Sequence, residues 1–115
     1  MNIFYLDKNP KVAAEMHCNK HVIKMVLEYA QILSTAHRII DGDEAGDERG
    51  LYEIAYKNHP STAWARLGRG NYNYLSDLWA WLGIEYTHRY GKIHKAATLE
   101  WLHYSPDNIP KKTLL

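Results

Sequence analysis

The sequence predicts an all-α protein, a compact helical bundle in which two long helices are joined by shorter connecting helices. Two observations support this fold class. Apolar residues recur at helical spacing from Pro10 to about Ile40 and again from Asn71 to Tyr90. No stretch alternates apolar and polar residues between hairpin turns, as the strands of a sheet would. At 115 residues, the chain is expected to form one domain over residues 1–115.

The first helical stretch has recognisable start and stop signals. Asn9 can cap a helix that begins at Pro10, since an asparagine side chain can accept hydrogen bonds from the first amides. Proline suits the first helical position, because the amide that it lacks would have no partner within the helix. A break near Asn19 would divide the stretch, with Asn19 capping a second helix that begins at Lys20. We expect Asp41–Gly42 to end this helix.

Residues 41–50 differ sharply in composition from the helices around them. They contain five acidic residues, one arginine and three glycines. Polar, glycine-containing stretches of this kind are typical of loops. We therefore expect an acidic, solvated loop that carries no active site.

Shorter elements are predicted between the two long helices. Residues 51–56 could form one or two helical turns. Asn58–His59–Pro60 should form a turn or start a helix, since the residue before a proline is pushed out of the α region. A short helix over residues 60–67 should follow, with a break bracketed by Gly68 and Gly70.

The last part of the chain contains the second long helix, predicted over residues 71–90. We expect this helix to end at Gly91, because glycine favours the left-handed conformation of a C-terminal cap. A third, weaker helix is predicted from Ile93 to His103. Residues from about 105 onward contain two prolines and are predicted to form a C-terminal tail.

Formal charge is spread unevenly along the chain. The net charge is +1, and because residues 41–50 contribute −4, the rest of the chain carries +5. This balance permits a phosphate-bearing partner such as DNA. No apolar run approaches the roughly 20 residues of a membrane span, and the N-terminus lacks the pattern of a signal peptide. We therefore expect no membrane association.

The chain has a single cysteine, Cys18. One cysteine excludes an internal disulfide and a multi-cysteine zinc site. We expect Cys18 to be a small buried residue, and the low cysteine content indicates a reducing cytoplasm.

Aromatic residues are unusually polar in this sequence. There are nine tyrosines and four tryptophans but one phenylalanine, together with seven histidines. Nearly every large ring therefore carries a polar atom that needs a partner when it is buried. Nine of the fourteen aromatics lie between Tyr52 and Tyr90. This composition favours a polar pocket or a binding surface beside the second long helix.

One side of the first long helix carries a stripe of polar residues, which we call the polar seam. At about 100° per residue its members share a narrow arc. They are His17, His21, Lys24, Glu28, Gln31 and Thr35. The opposite face is apolar, with Val22, Val26, Tyr29, Leu33 and Ala36 at its centre and Ile23, Leu27 and Ala30 widening it.

The polar seam has two possible interpretations, a solvated face or the wall of a pocket. A lysine and a glutamate one turn apart can tune each other's pKa, as acid–base chemistry requires. Exposure of both Lys24 and Glu28 would exclude the pocket. If the helix breaks at Asn19, Lys20 and His21 lie in a first turn, where backbone amides suit an anion such as phosphate.

A metal site on this helix is a weaker hypothesis. His17 and His21 are four residues apart, as are the two histidines of many zinc sites. A metal-dependent hydrolase built on them would need further ligands that this helix does not supply. We therefore predict no metal and no cofactor.

Two further segments are candidates for binding. Asn58 and His59 lie beside a proline-rigidified turn, and such turns often carry function. Tyr86 to Lys95 is the most basic and aromatic stretch of the chain, so we expect Arg89 and Lys92 to contact phosphate. Glu85 and Arg89, four residues apart, should also form an ion pair on the helix surface.

The order of these features resembles the pyrimidine-dimer DNA glycosylases of the endonuclease V type, and more closely their bacterial relatives. The resemblance spans most of residues 1–92 and rests on short motifs in sequence order. These are the start MNIFYLD, then Lys24, Glu28 and Gln31 at helical spacing, Asn58-His59-Pro60 with Trp64, and Tyr74-Leu75 before a helix ending at Glu85 to Gly91. The sequence is also similar to small phage-encoded proteins that begin in the same way.

The resemblance implies attack on the sugar of a damaged nucleotide by the N-terminal α-amine, assisted by a helical glutamate. In this chain the amine would belong to Met1, since the large Asn2 should prevent its removal, and the glutamate would be Glu28. Lys20 or Lys24 could supply the amine instead, if burial depressed its pKa.

Two classes of function follow from these observations. The first is a DNA-directed glycosylase/AP-lyase-like enzyme that acts through an amine nucleophile. Its expected catalytic residues are His21, Lys24, Glu28 and Met1, and its expected binding residues are Lys20, Gln31, Asn58, His59, Arg89 and Lys92. The alternative is a non-enzymatic, phage-type binding or inhibitor protein that recognises a host protein or a nucleotide.

Overall fold

The computed structural model describes residues 6–113, and this part of the chain is helical throughout its regular structure. The described residues contain no strand, which confirms the predicted all-α class. In chain order the helices are α1 (Pro10–Glu15), α2 (Asn19–Asp41), α3 (Asp43–Glu48), α4 (Pro60–Ala65) and α5 (Arg69–Tyr90), followed by two 3₁₀ turns, Lys95–Ala97 and Glu100–His103. Within residues 6–113, no helix combines the length and apolar character needed to cross a membrane.

The two long helices, α2 and α5, pack against each other and form most of the core. The predicted apolar face of α2 is fully buried at Val22, Val26, Tyr29, Leu33 and Ala36. On α5 the residues at helical spacing predict a core stripe of Leu75, Leu78, Trp79, Leu82 and Tyr86. The first four are fully buried, and Tyr86 packs half-buried against the core. Burial of this apolar area is the main force that holds the two helices together.

The predicted apolar arc of α2 is too wide on one side. Ile23 and Leu27 are exposed, whereas Ala30, one turn further along, is fully buried. Along this side of α2 the helix surface therefore changes from exposed to buried between Leu27 and Ala30.

The predicted break in the first helical stretch is confirmed. Helix α1 ends at Glu15, and α2 begins at Asn19 with Cys18 as its N-cap residue. Asn9 caps α1 as expected, since its side chain accepts hydrogen bonds from the amides of Lys11 and Val12. Asn19 is therefore the first residue of the second helix and not its cap.

The acidic segment is a helix, so the prediction of a loop over residues 41–50 is wrong. Helix α3 forms because the buried guanidinium of Arg38 organises the backbone around it. Arg38 donates to the carbonyl of Asp43 at 3.1 Å and to Oδ1 of Asp47 at 2.9 Å. The carboxylates themselves remain largely in solvent, as expected of this segment.

Residues 51–55 form no helical turn, which corrects the expectation there. Several of their backbone groups bond to side chains of α2, and the amide of Leu51 donates to Gly46 O at 3.0 Å. Arg38 donates to the carbonyl of Leu51 at 2.8 Å and to that of Tyr52 at 2.6 Å. Thr35 Oγ1 accepts from the amide of Ala55 at 3.0 Å and donates to its carbonyl at 3.3 Å.

Helix α5 begins at Arg69, two residues earlier than predicted, and includes Gly70. Its first amides find acceptors in the C-terminal segment, since Arg69 N donates to Pro110 O at 2.8 Å and Gly70 N to Lys112 O at 3.1 Å. A Cβ atom on Gly68 would overlap Lys112, so glycine permits this close approach. Gly91 ends the helix at a φ of +69°, as predicted.

The segment after residue 105 is not a free tail, which corrects that prediction. The Asp41 carboxylate at the end of α2 accepts from the amide of Asp107 at 2.7 Å and from that of Asn108 at 3.0 Å. Ile109 is buried. Burial alone would raise the pKa of Asp41, but its hydrogen bonds from Arg49, Asp107 and Asn108 lower it to about 2.

The predicted third helix is replaced by two 3₁₀ turns. Side chains of α5 donate hydrogen bonds to backbone carbonyls that, in a continuous helix, would accept from amides of the same helix. Trp79 Nε1 donates to Ala96 O at 3.0 Å, and Leu102 O accepts from both Ser76 Oγ at 2.6 Å and Tyr72 Oη at 3.0 Å.

A buried histidine links α2 to these turns. Arg49 donates to Nδ1 of His37 at 2.9 Å, so Nε2 carries the proton and donates to Tyr72 Oη at 2.8 Å. Tyr72 Oη in turn donates a hydrogen bond to Leu102 O. Burial, and then the charge of Arg49, lower the pKa of His37 to about 4, so the ring is neutral near pH 7.

Replacing Arg38 with methionine should destabilise the protein by about 3 kcal/mol or more, because the carbonyls of residues 51 and 52 lose a buried charged donor. Chemical denaturation measures this change. Asp43→Asn is the matched control, and its effect should stay within about 1 kcal/mol because its carboxylate is exposed. A methionine variant as stable as the wild type would show that water reaches these carbonyls.

The free energy of unfolding should fall as the pH drops from 6.5 to about 4. Between these values the unfolded chain protonates the residue-37 imidazole while the folded chain does not, so stability is complete above 6.5 and is lost toward 4. The loss attributable to this ring is about 3 kcal/mol. His37→Gln, which keeps a donor toward Tyr72, should remove that part of the pH dependence. An unchanged pH profile in the variant would contradict this origin.

Candidate functional site

The polar seam of α2 changes from exposed to buried along the helix. Lys20 and Lys24 are exposed, His21, Glu28 and Gln31 are half-buried, and Thr35 is fully buried. Thr35 holds the backbone of Ala55, so the seam ends where residues 51–55 cross the helix. The seam is therefore neither a fully solvated face nor the wall of a closed cavity.

Lys24 and Glu28 form the chemically distinctive pair of this seam. Lys24 Nζ lies 4.0 Å from Glu28 Oε2, with the lysine side chain 62% exposed and the glutamate side chain 18% exposed. Only one of the two residues is therefore exposed, so the condition that would exclude a pocket is not met. The arrangement places a recessed carboxylate beside an accessible amine, so the burial on which a nucleophilic Lys24 was made conditional is absent. At 4.0 Å the two groups form an ion pair and lie beyond hydrogen-bond reach.

His17 lies outside α2, in the bend between α1 and α2, and is buried. Its Nδ1 lies 2.7 Å from the carbonyl of Ala13 and must donate there, so Nε2 accepts from Tyr29 Oη at 3.0 Å. Burial is the main reason that the pKa of His17 is lowered. His17 thus fixes the bend through its ring and is not part of the polar seam.

The metal hypothesis gains no support from this geometry. Both ring nitrogens of His17 are engaged in the fold, and His21 lies on a different element. Among residues 6–113, no three histidine, cysteine, aspartate or glutamate side chains converge as metal ligands would.

Cys18 is exposed, so the expectation of a buried residue is wrong. It occupies the N-cap position of α2, where the bend turns its side chain away from the core. Its side chain makes no capping hydrogen bond, and the first turn of α2 contains no acidic residue. Lys20 and His21 lie in that first turn, as predicted for a helix that begins after a break.

Arg89 holds the bend together, a role that the sequence did not indicate. Its Nη1 donates to His17 O at 2.9 Å and to Asn19 Oδ1 at 3.0 Å, and its Nη2 donates to Glu15 O at 3.1 Å. The predicted ion pair with Glu85 is confirmed, with 2.8 Å between Nε and Oε1. Arg89 is thus committed to the fold, which argues against its predicted contact with phosphate.

The remaining predicted binding residues lie at two places. Lys92 is exposed just after the end of α5, close in sequence to Arg89. Asn58 is exposed in the turn before α4, whereas His59 is half-buried. His59 acts as the N-cap of α4, because its Nδ1 accepts from the amide of Ser61 at 3.1 Å.

Sequence reasoning missed one feature of this turn. Tyr56 is 63% exposed and has a φ of +51°, a left-handed conformation rare for a tyrosine. A non-glycine residue gives no sequence signal of such a conformation. Because Ala55 bonds to Thr35, Tyr56 lies beside the buried end of the polar seam.

Two grooves on α5 are separate from the seam. One, of about 330 Å³, lies against α1 and is lined by Lys11, Glu15, Trp81, Ile84, Glu85 and His88. The other, of about 570 Å³, lies against the 3₁₀ turns and is mostly apolar. Neither groove includes a residue predicted to be catalytic, and the predicted amine of Met1 lies outside the described residues.

Comparison with protein-family models, with curated proteins and with solved structures finds no match to this chain. The resemblance to pyrimidine-dimer DNA glycosylases therefore stays a prediction from the sequence. What can be assigned rests on the residues themselves. They form a polar seam with a recessed carboxylate and an accessible amine on one helix.

Proposed function

We propose that this chain is a DNA-directed glycosylase/AP-lyase-like enzyme that acts through an amine nucleophile. The observation that carries the proposal is the 4.0 Å separation of Lys24 Nζ from Glu28 Oε2. An accessible amine can reach the C1′ atom of a deoxyribose, and a recessed carboxylate one helical turn away can move the protons that the reaction requires.

The proposed lyase step at an abasic site begins when the unprotonated amine adds to the C1′ aldehyde. A C–N bond forms, the oxygen leaves as water, and an iminium results. A base then removes a C2′ proton, and the electron pair expels the 3′ phosphate. At a damaged nucleotide that still carries its base, the amine displaces the base from C1′ first. Glu28 is the proposed proton acceptor and donor, with His21 on the same seam as a second candidate.

Charge and exposure support DNA as the partner. The chain carries +5 outside residues 41–50. Lys20 is exposed in the first turn of α2, next to backbone amides that suit phosphate oxygens. Gln31, Asn58 and His59 are the proposed polar contacts at the other end of the seam.

Borohydride reduction in the presence of DNA with one abasic site should trap a covalent protein–DNA species. Tryptic mass spectrometry should place the adduct on residue 24, and Lys24→Arg should reduce trapping more than about tenfold because an arginine forms no stable Schiff base. Lys111→Arg, at an exposed position in the C-terminal segment, is the matched control and should trap normally.

The outcomes separate three hypotheses. An adduct on Met1 or Lys20 would retain the enzyme class but move the nucleophile away from Lys24. No adduct under any condition would contradict the enzyme. That result is the one expected of the alternative, a non-enzymatic protein that binds a host protein or a nucleotide.

Glu28→Gln should slow strand cleavage at an abasic site by about a hundredfold, because the reaction loses its proton acceptor. DNA affinity, measured by fluorescence anisotropy, should change less than about twofold, since neutralising a carboxylate removes no DNA contact. Glu44→Gln changes an exposed carboxylate on α3 and should leave both quantities unaltered. Equal cleavage rates in the two variants would remove Glu28 from the mechanism.

A further inference from the structure

Tyr56 has an unfavourable backbone conformation, and its side chain is not buried, so packing does not offset the cost of that conformation. Its φ of +51° makes it the one non-glycine residue with positive φ among residues 6–113. A residue with a side chain is destabilised in this region, because its Cβ approaches the following carbonyl oxygen. Tyr56 is nevertheless 63% exposed. Unfavourable conformations that contribute nothing to packing concentrate at functional sites.

The backbone on both sides of Tyr56 is fixed. On one side, the amide and the carbonyl of Ala55 both bond to Thr35 Oγ1 on α2. On the other, Tyr56 O accepts from the amide of His59 at 3.0 Å, and His59 caps α4. The ring is therefore presented to solvent from a rigid turn, so a partner that contacts it meets little loss of backbone entropy.

The surroundings of the ring match those of a base-stacking side chain. Lys57 and Asn58 follow it in the turn, and both are exposed. An exposed aromatic ring next to a lysine and a polar amide is the combination with which proteins hold unpaired nucleotides, since the ring stacks on a base and the ammonium contacts a phosphate.

The distance along α2 between Glu28 and the turn that holds the ring also fits the spacing of nucleotides in a DNA strand. Thr35, which holds the turn, lies seven residues after Glu28 on α2, or about 10 Å along the helix axis. Each strand of duplex DNA advances about 3.4 Å per nucleotide, so this distance corresponds to about three nucleotide steps at duplex spacing. A strand whose sugar lies at Glu28 therefore has a base within reach of the turn.

We propose that Tyr56 is a stacking platform for an unpaired nucleobase of DNA, with Lys57 contacting the adjoining phosphate. The inference rests on the proposed function, because it takes DNA as the partner and adds where the strand is held. Tyrosine is suited to this role, since its large ring is positioned by two side-chain torsions and stacks on any base.

Fluorescence anisotropy with a labelled single-stranded oligonucleotide that contains one tetrahydrofuran residue, a non-cleavable abasic analogue, tests the inference. Tyr56→Ala should weaken binding by about tenfold, the effect of losing one stacked base. Tyr56→Phe should bind like the wild type, because the ring and not the hydroxyl stacks. Tyr104→Ala is the matched control, since that tyrosine is similarly exposed at 60% and should not affect binding.

Tyr56→Gly separates a functional ring from a structural one. Glycine accepts positive φ, so this variant should unfold at the same temperature as the wild type or higher, while its affinity for the oligonucleotide falls as in the alanine variant. Lys57→Gln should reduce the salt dependence of binding by about one ion.

The two proposals fail in distinguishable ways. Wild-type affinity in Tyr56→Ala, or an equal loss in Tyr104→Ala, would overturn the stacking role, whereas a borohydride-trapped adduct would still support the enzyme. A wild-type protein that neither binds the oligonucleotide nor forms the adduct would overturn both.

Discussion

Polar atoms on buried rings determine how the rest of the chain is arranged around α2 and α5. Each such atom needs a hydrogen-bond partner, because leaving it unpaired in the core is destabilising by about 1–3 kcal/mol. Trp79 finds Ala96 O, Tyr72 finds Leu102 O, and Tyr74 donates to Asp7 O at 2.7 Å. Helix α5 thereby holds the irregular segments at both ends of the described chain. At these buried positions the polar ring is thus a structural requirement, whereas other tyrosines and tryptophans, such as Tyr56 and Tyr104, are exposed.

The helices were predictable because their signals are local. Apolar spacing, Asn9 before Pro10 and the glycine at position 91 each act within one or two turns of the residue concerned. The errors occurred where a side chain bonds to backbone far along the chain. Arg38 shapes residues 43–52, and no local pattern reveals that an arginine on α2 is buried and serves them.

The same distinction applies to the candidate site. Helical periodicity was sufficient to place Lys24 and Glu28 one turn apart on one face. It could not reveal that the glutamate is recessed and the lysine exposed, because that depends on which segments cover α2. Arg89 illustrates the limit most clearly. Its basic surroundings suggested phosphate, but its acceptors are carbonyls of a bend some 70 residues earlier in the chain.

Under the proposed function, the open geometry of the seam has a mechanistic meaning. The reacting amine lies at a helix surface and not in a closed cavity, so the sugar must come to the helix. An abasic or extruded nucleotide can do so, whereas a base-paired one is held in the stack. The selectivity of such a site would therefore reside in how easily the DNA opens as well as in the contacts made by the seam.

The capping of α5 by the C-terminal segment bears on how the chain folds during synthesis. The amides of Arg69 and Gly70 receive their acceptors from Pro110 and Lys112. The first turn of α5 therefore depends on acceptors that lie about 40 residues further along the chain. These two hydrogen bonds form only once Lys112 has been synthesised and has left the ribosome. The start of α5 is therefore completed by a long-range contact, which forms more slowly than contacts between neighbours because the intervening chain must be ordered first.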